Sequence, residues 1–147
     1  MAGVGIRAAT LADADAWVAL RTALWPDLPE GEARAEIAAM AVDPALGTFI
    51  AWDGDRAVGL VEASLRAYAD GCGPGPVGYV EGWYVVPDRR RSGIGRALVA
   101  AAEDWARAKG CREMASDALL DNTDSQAAHG RLGYAEVERV VLYRKDL

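Results

Sequence analysis

The sequence predicts a domain of mixed α/β class, with an antiparallel hairpin early in the chain and helix crossovers between the later strands. Three observations carry this prediction. Apolar residues recur at helical spacing in some segments and form strand-like runs in others. The dipeptide Asp53-Gly54 is a hairpin turn signal between two strand-like runs. The length of 147 residues fits one domain, and no repeat, low-complexity tract or linker divides residues 1–147.

The first half of the chain is expected to contain one strand, two helices and a hairpin. Thr10 and Asp13 form a helix-start pattern, after which Trp17, Leu20 and Leu24 recur at helical spacing. Prolines at positions 26 and 29 end that helix, because proline cannot continue it. The expected elements are a strand at 4–8, a helix from 10 to about 24, a helix at 30–40, and hairpin strands at 48–52 and 56–65.

Residues 67–76 form a connection with too much glycine and proline for regular structure. This segment contains Tyr68 and Asp70, a polar aromatic residue and an acid two positions apart. Its length and this pair favour a substrate lid over a plain connecting loop.

The second half of the chain is expected to alternate between strands and helices. In the longest predicted helix, Leu98, Ala102 and Trp105 lie on one face, and Gly110 closes the helix. The expected elements are a strand at 77–86, a helix at 94–109, a strand at 113–118, a helix at 125–132 and a long C-terminal strand at 135–145.

The composition argues against several classes of protein. The net charge is −6, with 22 acidic and 16 basic residues, which disfavours nucleic acid as the main partner and suits a cationic one. Cys72 and Cys111 lie at neither metal-ligand nor disulfide-rich spacing, so two free thiols and no metal site are expected. With no apolar run of 18 residues and no leader pattern, we expect a cytoplasmic protein that does not bind membranes.

The most basic turn of this acidic chain, RRRSGIG at 89–95, joins a predicted strand to a predicted helix. The first amides of a helix lack internal partners and point along the positive end of its dipole, and Gly93 and Gly95 allow a ligand close to the backbone. Arg90 or Arg91 can add a charge-assisted contact to a phosphate. No Gly-Lys-Ser/Thr follows, and Leu98 stands where a dinucleotide fingerprint needs glycine. The turn therefore predicts an anion site of another kind, rather than a helix start beside solvated arginines.

The pattern Arg90-Arg-Ser-Gly93-Ile-Gly95 resembles the Arg/Gln-x-x-Gly-x-Gly/Ala pyrophosphate turn of the GNAT superfamily of acyl-CoA N-acyltransferases. Asn122-x-x-Ser125, followed by Leu-Gly-Tyr at 132–134, is similar to a late segment of the same superfamily. The order of elements also matches, over essentially the whole chain. This resemblance implies a GNAT fold, in which a mostly antiparallel twisted sheet contains a splayed parallel strand pair and is flanked by about four helices.

Six short segments also resemble the chromosomal-type aminoglycoside 6'-N-acetyltransferases within that superfamily. They are LWP at 24–26, ASLR at 63–66, YVEGWYV at 79–85, GCREMASD at 110–117, NT at 122–123 and ERVVLYRK at 138–145. This narrower resemblance implies transfer of the acetyl group of acetyl-CoA to the 6'-amine of an aminoglycoside, by direct attack in a ternary complex and without a metal.

The resemblance also implies where acetyl-CoA binds. Backbone amides in the C-terminal part of the strand at 77–86 are expected to meet the thioester and pantetheine, because that strand splays from its neighbour in the GNAT fold. The basic turn is expected to meet the pyrophosphate. The implied contacts are Trp83, Tyr84, Val85, Val86, Arg90, Arg91, Ser92, Gly93, Ile94, Gly95, Arg96, Asn122, Ser125 and His129.

Acidic and aromatic residues are the candidates for binding the amine. Glu81 is expected to contact it and to act as a base directly or through water, and strand alternation predicts that Glu81 shares a face with Trp83. The alternative is an ordinary strand carboxylate paired with an arginine. Asp117 is expected to be a substrate ligand, together with Tyr68 and Asp70, whereas Asp121 and Asp124 are read as helix-start acids. Trp25 either packs against a sugar face or belongs to the core.

The departing thiolate needs a proton donor, and two residues are candidates. Many GNAT enzymes have a tyrosine four residues after the Asn-x-x-Ser/Ala position, where this chain has His129, its only histidine. Tyr143 lies in the matching C-terminal Tyr-Arg-Lys and is the second candidate. The choice between them stays open, and His129 can instead be a helix residue that contacts CoA.

Two other functions are compatible with the same sequence. One is a GNAT acetyltransferase of another amine, such as a polyamine or a peptide N-terminus, and the other is an acyl-CoA-binding sensor without turnover. The long C-terminal strand is expected to pair across a homodimer, as the related enzymes imply.

Overall fold

A five-stranded sheet, in the order β1-β2-β3-β4-β5, organises residues 3–147, which are the residues that this computed structural model describes. The first three strand pairs are antiparallel, and β4 and β5 are parallel. This confirms the predicted mixed α/β class with a mostly antiparallel sheet. The elements are β1 (Gly5–Ala8), α1 (Ala14–Leu24), α2 (Glu30–Met40), β2 (Leu46–Asp53), β3 (Arg56–Arg66), β4 (Val77–Val85), α3 (Ile94–Ala108), β5 (Met114–Ser116) and α4 (Thr123–Arg131).

Short 3₁₀ turns precede two of the helices. Leu11–Asp13 leads into α1, with the predicted reciprocal cap between Thr10 and Asp13, and Pro87–Arg89 leads towards α3. Gly110 follows α3 at a φ of +91°, as expected of a glycine that ends a helix. Among the helices of residues 3–147, none is long and apolar enough to cross a membrane.

Both faces of the sheet are covered by apolar helix surfaces. On one face α3 buries Ile94, Leu98 and Ala102 against residues of β3 and β4. On the other face α1 and α2 bury Trp17 and Ile37, among others, against β2 and β3. A sheet packed on both faces is rigid, so side chains at its splayed end are held in place by buried neighbours.

A buried ion pair connects α1 to the centre of the sheet. The Glu62 carboxylate is 3% exposed and accepts hydrogen bonds from Trp17 Nε1 and Arg21 Nη1, each at 2.8 Å. Arg21 also donates to Glu36 at 2.5 Å, and its guanidinium lies 5.1 Å from the ring centre of Trp25. The pair therefore fixes the end of α1, and with it the indole of Trp25, over β3 and β4.

A β-bulge interrupts β4 at Glu81. Glu62 pairs with Gly82 and the next residue of β3 pairs with Val80, so Glu81 is the extra residue. Its carboxylate accordingly lies beside Ser64, on the α1 side of the sheet, whereas Trp83 donates to the carbonyl of Gly95 on the α3 side. The prediction that Glu81 and Trp83 share a face is wrong, because the bulge breaks the two-residue alternation.

The predicted C-terminal strand at 135–145 does not form within the described residues of a single chain. Residues 135–147 follow α4 without regular structure. Val137, Leu142 and Tyr143 are exposed there, at 65%, 89% and 92%. A strand needs a neighbour for its backbone hydrogen bonds, and β5, the strand at this edge of the sheet, has three residues and pairs with β4 only. The strand pattern at 135–145 is thus left without a partner strand in residues 3–147.

Candidate active site

The basic turn has the backbone of an anion site. Gly93 caps α3 in the left-handed region with a φ of +87°, and Arg91 also has a positive φ, of +61°. Successive amides in such a conformation point into one concave surface. Within residues 3–147, no oxygen accepts a hydrogen bond from the backbone amides of residues 91–96. A side chain built on Gly93 would meet no atom within 4 Å, so the turn is open to a ligand.

Ion pairs and a side-chain contact to the backbone fix residues 88–90, which lead into this turn. Arg56 donates to both oxygens of Asp88 at 2.8 Å, which lowers the pKa of Asp88 to about 2. Arg89 pairs with Asp53 of the hairpin turn at 2.5 Å. The Nε of Arg90 donates to the carbonyl of Val85 at 2.8 Å, which ties the turn back to β4.

Strands β4 and β5 separate where the resemblance predicts that they do. Their pairing covers Gly78, Tyr79 and Val80 against residues 114–116, and ends with Val80 opposite Ser116. In the described chain, residues 81–85 of β4 have no partner on this side. The backbone groups of these residues that do not pair with β3 face the gap between β4 and β5. The splayed pair and the anion turn thus lie at the two ends of one short stretch of chain.

An acid and hydroxyl cluster lies on the α1 side of the same bulge. Glu81 accepts from Ser64 Oγ at 2.6 Å and from the guanidinium of Arg66 at 2.8 and 2.9 Å. Arg66 lies 3.4 Å above the ring centre of Tyr79, whose hydroxyl donates to Asp117 at 2.5 Å. Burial and this carboxylate raise the pKa of Tyr79, so it remains a hydrogen-bond donor at neutral pH. The structure therefore connects the predicted residues Glu81 and Asp117 through Tyr79 and Arg66.

The predicted lid residues border a cavity of about 740 Å³ beside this cluster. The hydroxyl of Tyr68 donates to Asp70 at 2.7 Å, and that contact raises the pKa of Tyr68. The irregular C-terminal segment forms the far wall. Polar lining residues include Arg66, Tyr68, Asp70, Asp117 and His129. Glu81 adjoins the cavity through Arg66, and Trp25 lies behind the bulge, where its ring would be 2.6 Å from a Cβ on Gly82.

His129 has a fixed orientation at the inner end of the cavity. Its Nδ1 lies 2.7 Å from the carbonyl of Ser125, which can only accept, so Nδ1 carries a proton. In the neutral imidazole, Nε2 then accepts from Ser116 Oγ at 2.8 Å. The rings of Trp83 and Tyr134 meet the imidazole edge-on at 5.4 and 5.8 Å. The histidine thus reaches the β4/β5 separation through the hydroxyl of Ser116, which is the last residue of β5.

The other predicted residues have local structural roles or are exposed. Asn122 caps α4 by accepting from the amide of Ser125 at 3.1 Å, and Arg96 donates to the carbonyl of Arg131 at 3.2 Å. The side chain of Ile94 is buried in the core, which leaves its backbone amide for a ligand. Tyr143 is exposed on the irregular segment, away from the cavity. Asp121 and Asp124 are exposed near the start of α4, as expected of helix-start acids.

Sequence reasoning missed three members of the site: Ser64, Arg66 and Ser116. A signal for the first two was present, since Glu62, Ser64 and Arg66 are polar residues that alternate along one face of a largely apolar strand. For Ser116 no local signal existed, because its role depends on the packing of α4 against β5. Among residues 3–147, no group of three or more His, Cys, Asp or Glu side chains is arranged to hold a metal ion, and both cysteines are free thiols.

Comparisons with known proteins agree with this geometry. Residues 16–134 match the model of the acetyltransferase (GNAT) family. An aminoglycoside N(6')-acetyltransferase type 1 of Klebsiella aerogenes is 44% identical over 147 residues, covering 97% of this chain and 96% of the relative. The corresponding enzyme of Stenotrophomonas maltophilia is also 44% identical, over 97% and 93% of the two chains.

Solved structures of aminoglycoside 6'-N-acetyltransferases have the same fold over nearly the whole chain. AAC(6')-Iy in complex with the bisubstrate analogue CoA-S-monomethyl-acetylneamine has a TM-score of 0.95 and 39% identity, with 99% of each chain covered. The apo aminoglycoside 6'-N-acetyltransferase AAC(6')-IG from Acinetobacter haemolyticus has a TM-score of 0.92 and 38% identity, covering 97% of this chain and 99% of that one. The family model covers most of the chain and these relatives cover nearly all of it, so the chain belongs to the acetyltransferase (GNAT) family.

Proposed function

We propose that this protein transfers the acetyl group of acetyl-CoA to the 6'-amine of aminoglycosides, by direct attack in a ternary complex. The observation that carries the proposal is the bulge in β4. Its backbone faces the gap between β4 and β5 on one side, and the carboxylate of Glu81 lies on the other. An acyl donor and an amine can therefore meet across one strand. The named relatives, and the structure of one of them with a CoA–neamine analogue, support this choice of substrates.

The anion turn and the splayed strand suit acetyl-CoA. Amides of residues 91–96 are free to bind pyrophosphate oxygens, and the Cβ position at Gly93 is open. Unpaired backbone groups of β4 suit the amide-rich pantetheine arm, and an amide near Trp83 suits the thioester oxygen, where negative charge develops during attack. Acetyl-CoA is thus a cosubstrate whose binding uses mainly backbone groups, with Asn122, Ser125 and His129 of the α4 region beside it.

The acidic cluster suits the amine. An aminoglycoside is a polycation, and Asp70 and Asp117 line the cavity, which Glu81 adjoins through Arg66. Tyr68 in the lining and Trp25 behind the bulge are our candidates for aromatic surfaces against the sugar rings. An ammonium must lose a proton before it can attack a carbonyl carbon. We assign that proton to Glu81, directly or through a water. The nitrogen then forms its bond to the acetyl carbon, and the C–S electron pair leaves with the thiolate.

His129 is our candidate for protonating the thiolate, in preference to Tyr143. Its Nε2 reaches the strand separation through Ser116, whereas Tyr143 is exposed on the irregular segment. As an imidazolium, His129 would pass the Nε2 proton to Ser116 while the Ser116 hydroxyl proton goes to sulfur. The nitrogen loses a second proton as the amide forms, and this proton restores the imidazolium through water. The first proton leaves Glu81 to solvent, so an ammonium substrate yields the amide, the thiol and one released proton, with the enzyme unchanged.

The decisive experiment is acetyl-CoA-dependent thiol release with two aminoglycosides, one with a 6'-amine and one with a 6'-hydroxyl. We expect turnover with the amine alone. Silence with both, together with tight acetyl-CoA binding, would contradict the proposed function. Turnover of polyamines or peptides in the same assay would then identify another GNAT acetyltransferase, and no turnover of any amine would favour an acyl-CoA-binding sensor.

Replacement of Glu81 tests the amine half of the site. In Glu81→Gln the contact to Ser64 is retained and the charge is lost, so we expect a fall in turnover of about 10²-fold or more if Glu81 is the base. CoA affinity, measured by calorimetry, is expected to stay at the wild-type value. Wild-type turnover in this variant would remove Glu81 from the mechanism.

We also propose that the protein is cytoplasmic and forms a homodimer. The dimer is proposed because the C-terminal segment carries a strand pattern without a strand partner. Exposed apolar side chains at Val137, Val141 and Leu142 are unusual for a segment that stays free in water. Pairing with the same segment of a second chain would bury them and provide the missing backbone hydrogen bonds. Light scattering tests this directly: we expect twice the mass of 15.6 kDa, and a monomer after Leu142→Asp. A wild-type monomer would contradict the proposal.

A further inference from the structure

We propose that Arg66 is an internal counterion of the amine-binding carboxylate, and that the substrate's 6'-ammonium displaces it. This inference rests on the proposed function, because it assigns Glu81 to the substrate's amine. It adds a residue that competes with a 6'-amine, but not with a 6'-hydroxyl, for the carboxylate of Glu81.

The first step is that Arg66 already uses both oxygens of the carboxylate. Its Nε and Nη2 donate to Oε1 of Glu81 at 3.0 and 2.8 Å, and Nη2 also donates to Oε2 at 2.9 Å. The guanidinium carbon lies over the ring of Tyr79, 3.4 Å from the ring centre. A cation therefore occupies the place that an incoming ammonium needs, and it is bound by the same two kinds of group, a carboxylate and an aromatic face.

The second step is that this pair can be opened. The side chains of Arg66 and Glu81 are 42% and 36% exposed, and exposed ion pairs are weak because water screens them. The pair of Arg21 and Glu62 on the same face is 12% and 3% exposed, so opening it would leave a buried charge. The two pairs are chemically alike but differ in burial. Only the exposed pair can exchange its cation for a ligand without unfolding its surroundings.

The third step is that Glu81 keeps its position without Arg66. Ser64 Oγ donates to Oε1 at 2.6 Å from the neighbouring strand, and the bulge fixes the backbone of Glu81. Arg66 is the last residue of β3, at the start of the irregular segment 67–76, so its side chain has room to move away. The arginine is thus dispensable for orienting the carboxylate but effective as a competitor for it.

The charge of the 6' substituent decides whether Arg66 is displaced. A ligand with a 6'-ammonium replaces one cation by another and restores the charge pairing of Glu81. A 6'-hydroxyl carries no charge and cannot compete with a bidentate guanidinium, so such a ligand leaves Arg66 in place. Arg66 thereby weakens the binding of amine ligands slightly, whereas the binding of hydroxyl ligands does not depend on the opening of this pair.

The test measures the dissociation constants of the two aminoglycosides by calorimetry, for the wild-type protein and Arg66→Gln. For the 6'-amine ligand we expect Kd to fall by roughly two- to fivefold in the variant, because the competing cation is gone. For the 6'-hydroxyl ligand we expect a smaller change. That ligand is also a polycation, so its change measures the general effect of removing one positive charge.

Two further variants make the result specific. Arg34→Gln removes an arginine that also pairs with two acids, Glu30 and Asp15, on the exposed surface of α2, and should leave both dissociation constants unchanged. Arg66→Gln combined with Ser64→Ala removes both partners of Glu81 and should reverse the gain in affinity. Thermal melting of each variant identifies any that fails to fold, and Arg66→Lys, with one donor group, should then give an intermediate gain.

Weaker binding of the amine ligand by Arg66→Gln, or equal gains for both ligands, would overturn the proposal, since Arg66 would then orient Glu81 or act only through its charge. These outcomes are separable from failure of the proposed function. If the wild-type protein does not acetylate the 6'-amine, the assignment of the substrate is wrong, and the counterion role falls with it. If turnover is present and the affinity pattern is absent, only the role of Arg66 is wrong.

Discussion

Replacing Gly93 with aspartate is expected to weaken CoA binding strongly, and replacing it with asparagine only slightly. Two features of the position make the comparison clean. A Cβ at Gly93 meets no atom within 4 Å, so neither side chain is excluded by contact. The φ of +87° penalises any L-residue, but asparagine and aspartate are nearly equal in size and both tolerate the left-handed region. The two variants therefore differ essentially in one negative charge.

The size of the effect follows from Coulomb's law. A carboxylate about 4 Å from one phosphate charge is repelled by about 1 kcal/mol in bulk water and about 4 kcal/mol at the effective dielectric constant of a protein surface. The expected ratio of the two dissociation constants thus lies between about fivefold and about 10³-fold. The conformational cost, about 1–2 kcal/mol for a residue in the left-handed region, is common to both variants and cancels from the ratio.

Calorimetry with CoA at low and high salt is the appropriate assay. The aspartate variant should bind more weakly than the asparagine variant, and the difference should shrink as salt screens the repulsion. Equal affinity of the two variants for CoA would refute the assignment of this turn to the pyrophosphate. A difference that does not depend on salt would indicate a steric or conformational effect instead.

Two other substitutions test how the neighbouring structure supports the site. Gly82→Ala places a Cβ 2.6 Å from the indole of Trp25, so the ring must move, and we expect the KM for aminoglycosides to rise by roughly two- to tenfold. The control Gly31→Ala, whose added Cβ meets no atom within 4 Å, should leave this KM unchanged. An unchanged KM in both variants would remove Trp25 from the substrate site. Arg56→Gln removes the partner that lowers the pKa of Asp88 from 3.8 to about 2. Because the pKa of Asp88 is lowered in the folded state, the ion pair stabilises the protein fully above about pH 4 and progressively less as the pH falls towards about 2. The melting temperature of the wild type should therefore exceed that of Arg56→Gln by less and less over that range. A difference that stays constant with pH would contradict a stabilising role for the Arg56–Asp88 pair.

Much of the fold was predictable because its signals are local. The helix Glu30–Met40 agrees with its prediction residue for residue, and the strand from Arg56 differs by one residue at its end. The anion turn was also predictable, since a strand, two glycines and a helix start are neighbours in the chain. Its amides point outward for reasons that lie within those few residues, namely the left-handed φ of Gly93 and the start of α3.

The tertiary structure decided the features that depend on a partner. Two-residue alternation along β4 predicts that Glu81 and Trp83 share one face of the sheet. Only the register against β3 shows that a bulge places them on opposite faces. The strand pattern at 135–145 satisfies every local criterion, yet within residues 3–147 it meets no strand to pair with.

The side chains around Glu81 show the same division. Composition alone suggested an acidic site for a cation, and the positions of the acids along the chain were sufficient to propose them. The sequence could not show that Arg66 pairs with Glu81 at the surface, while Arg21 pairs with Glu62 in the interior. Each arginine pairs with an acid that is 15 or 41 positions away in the sequence, and the strength of each ion pair depends on its burial. The pairing and the burial are both established only when the sheet and α1 have packed together.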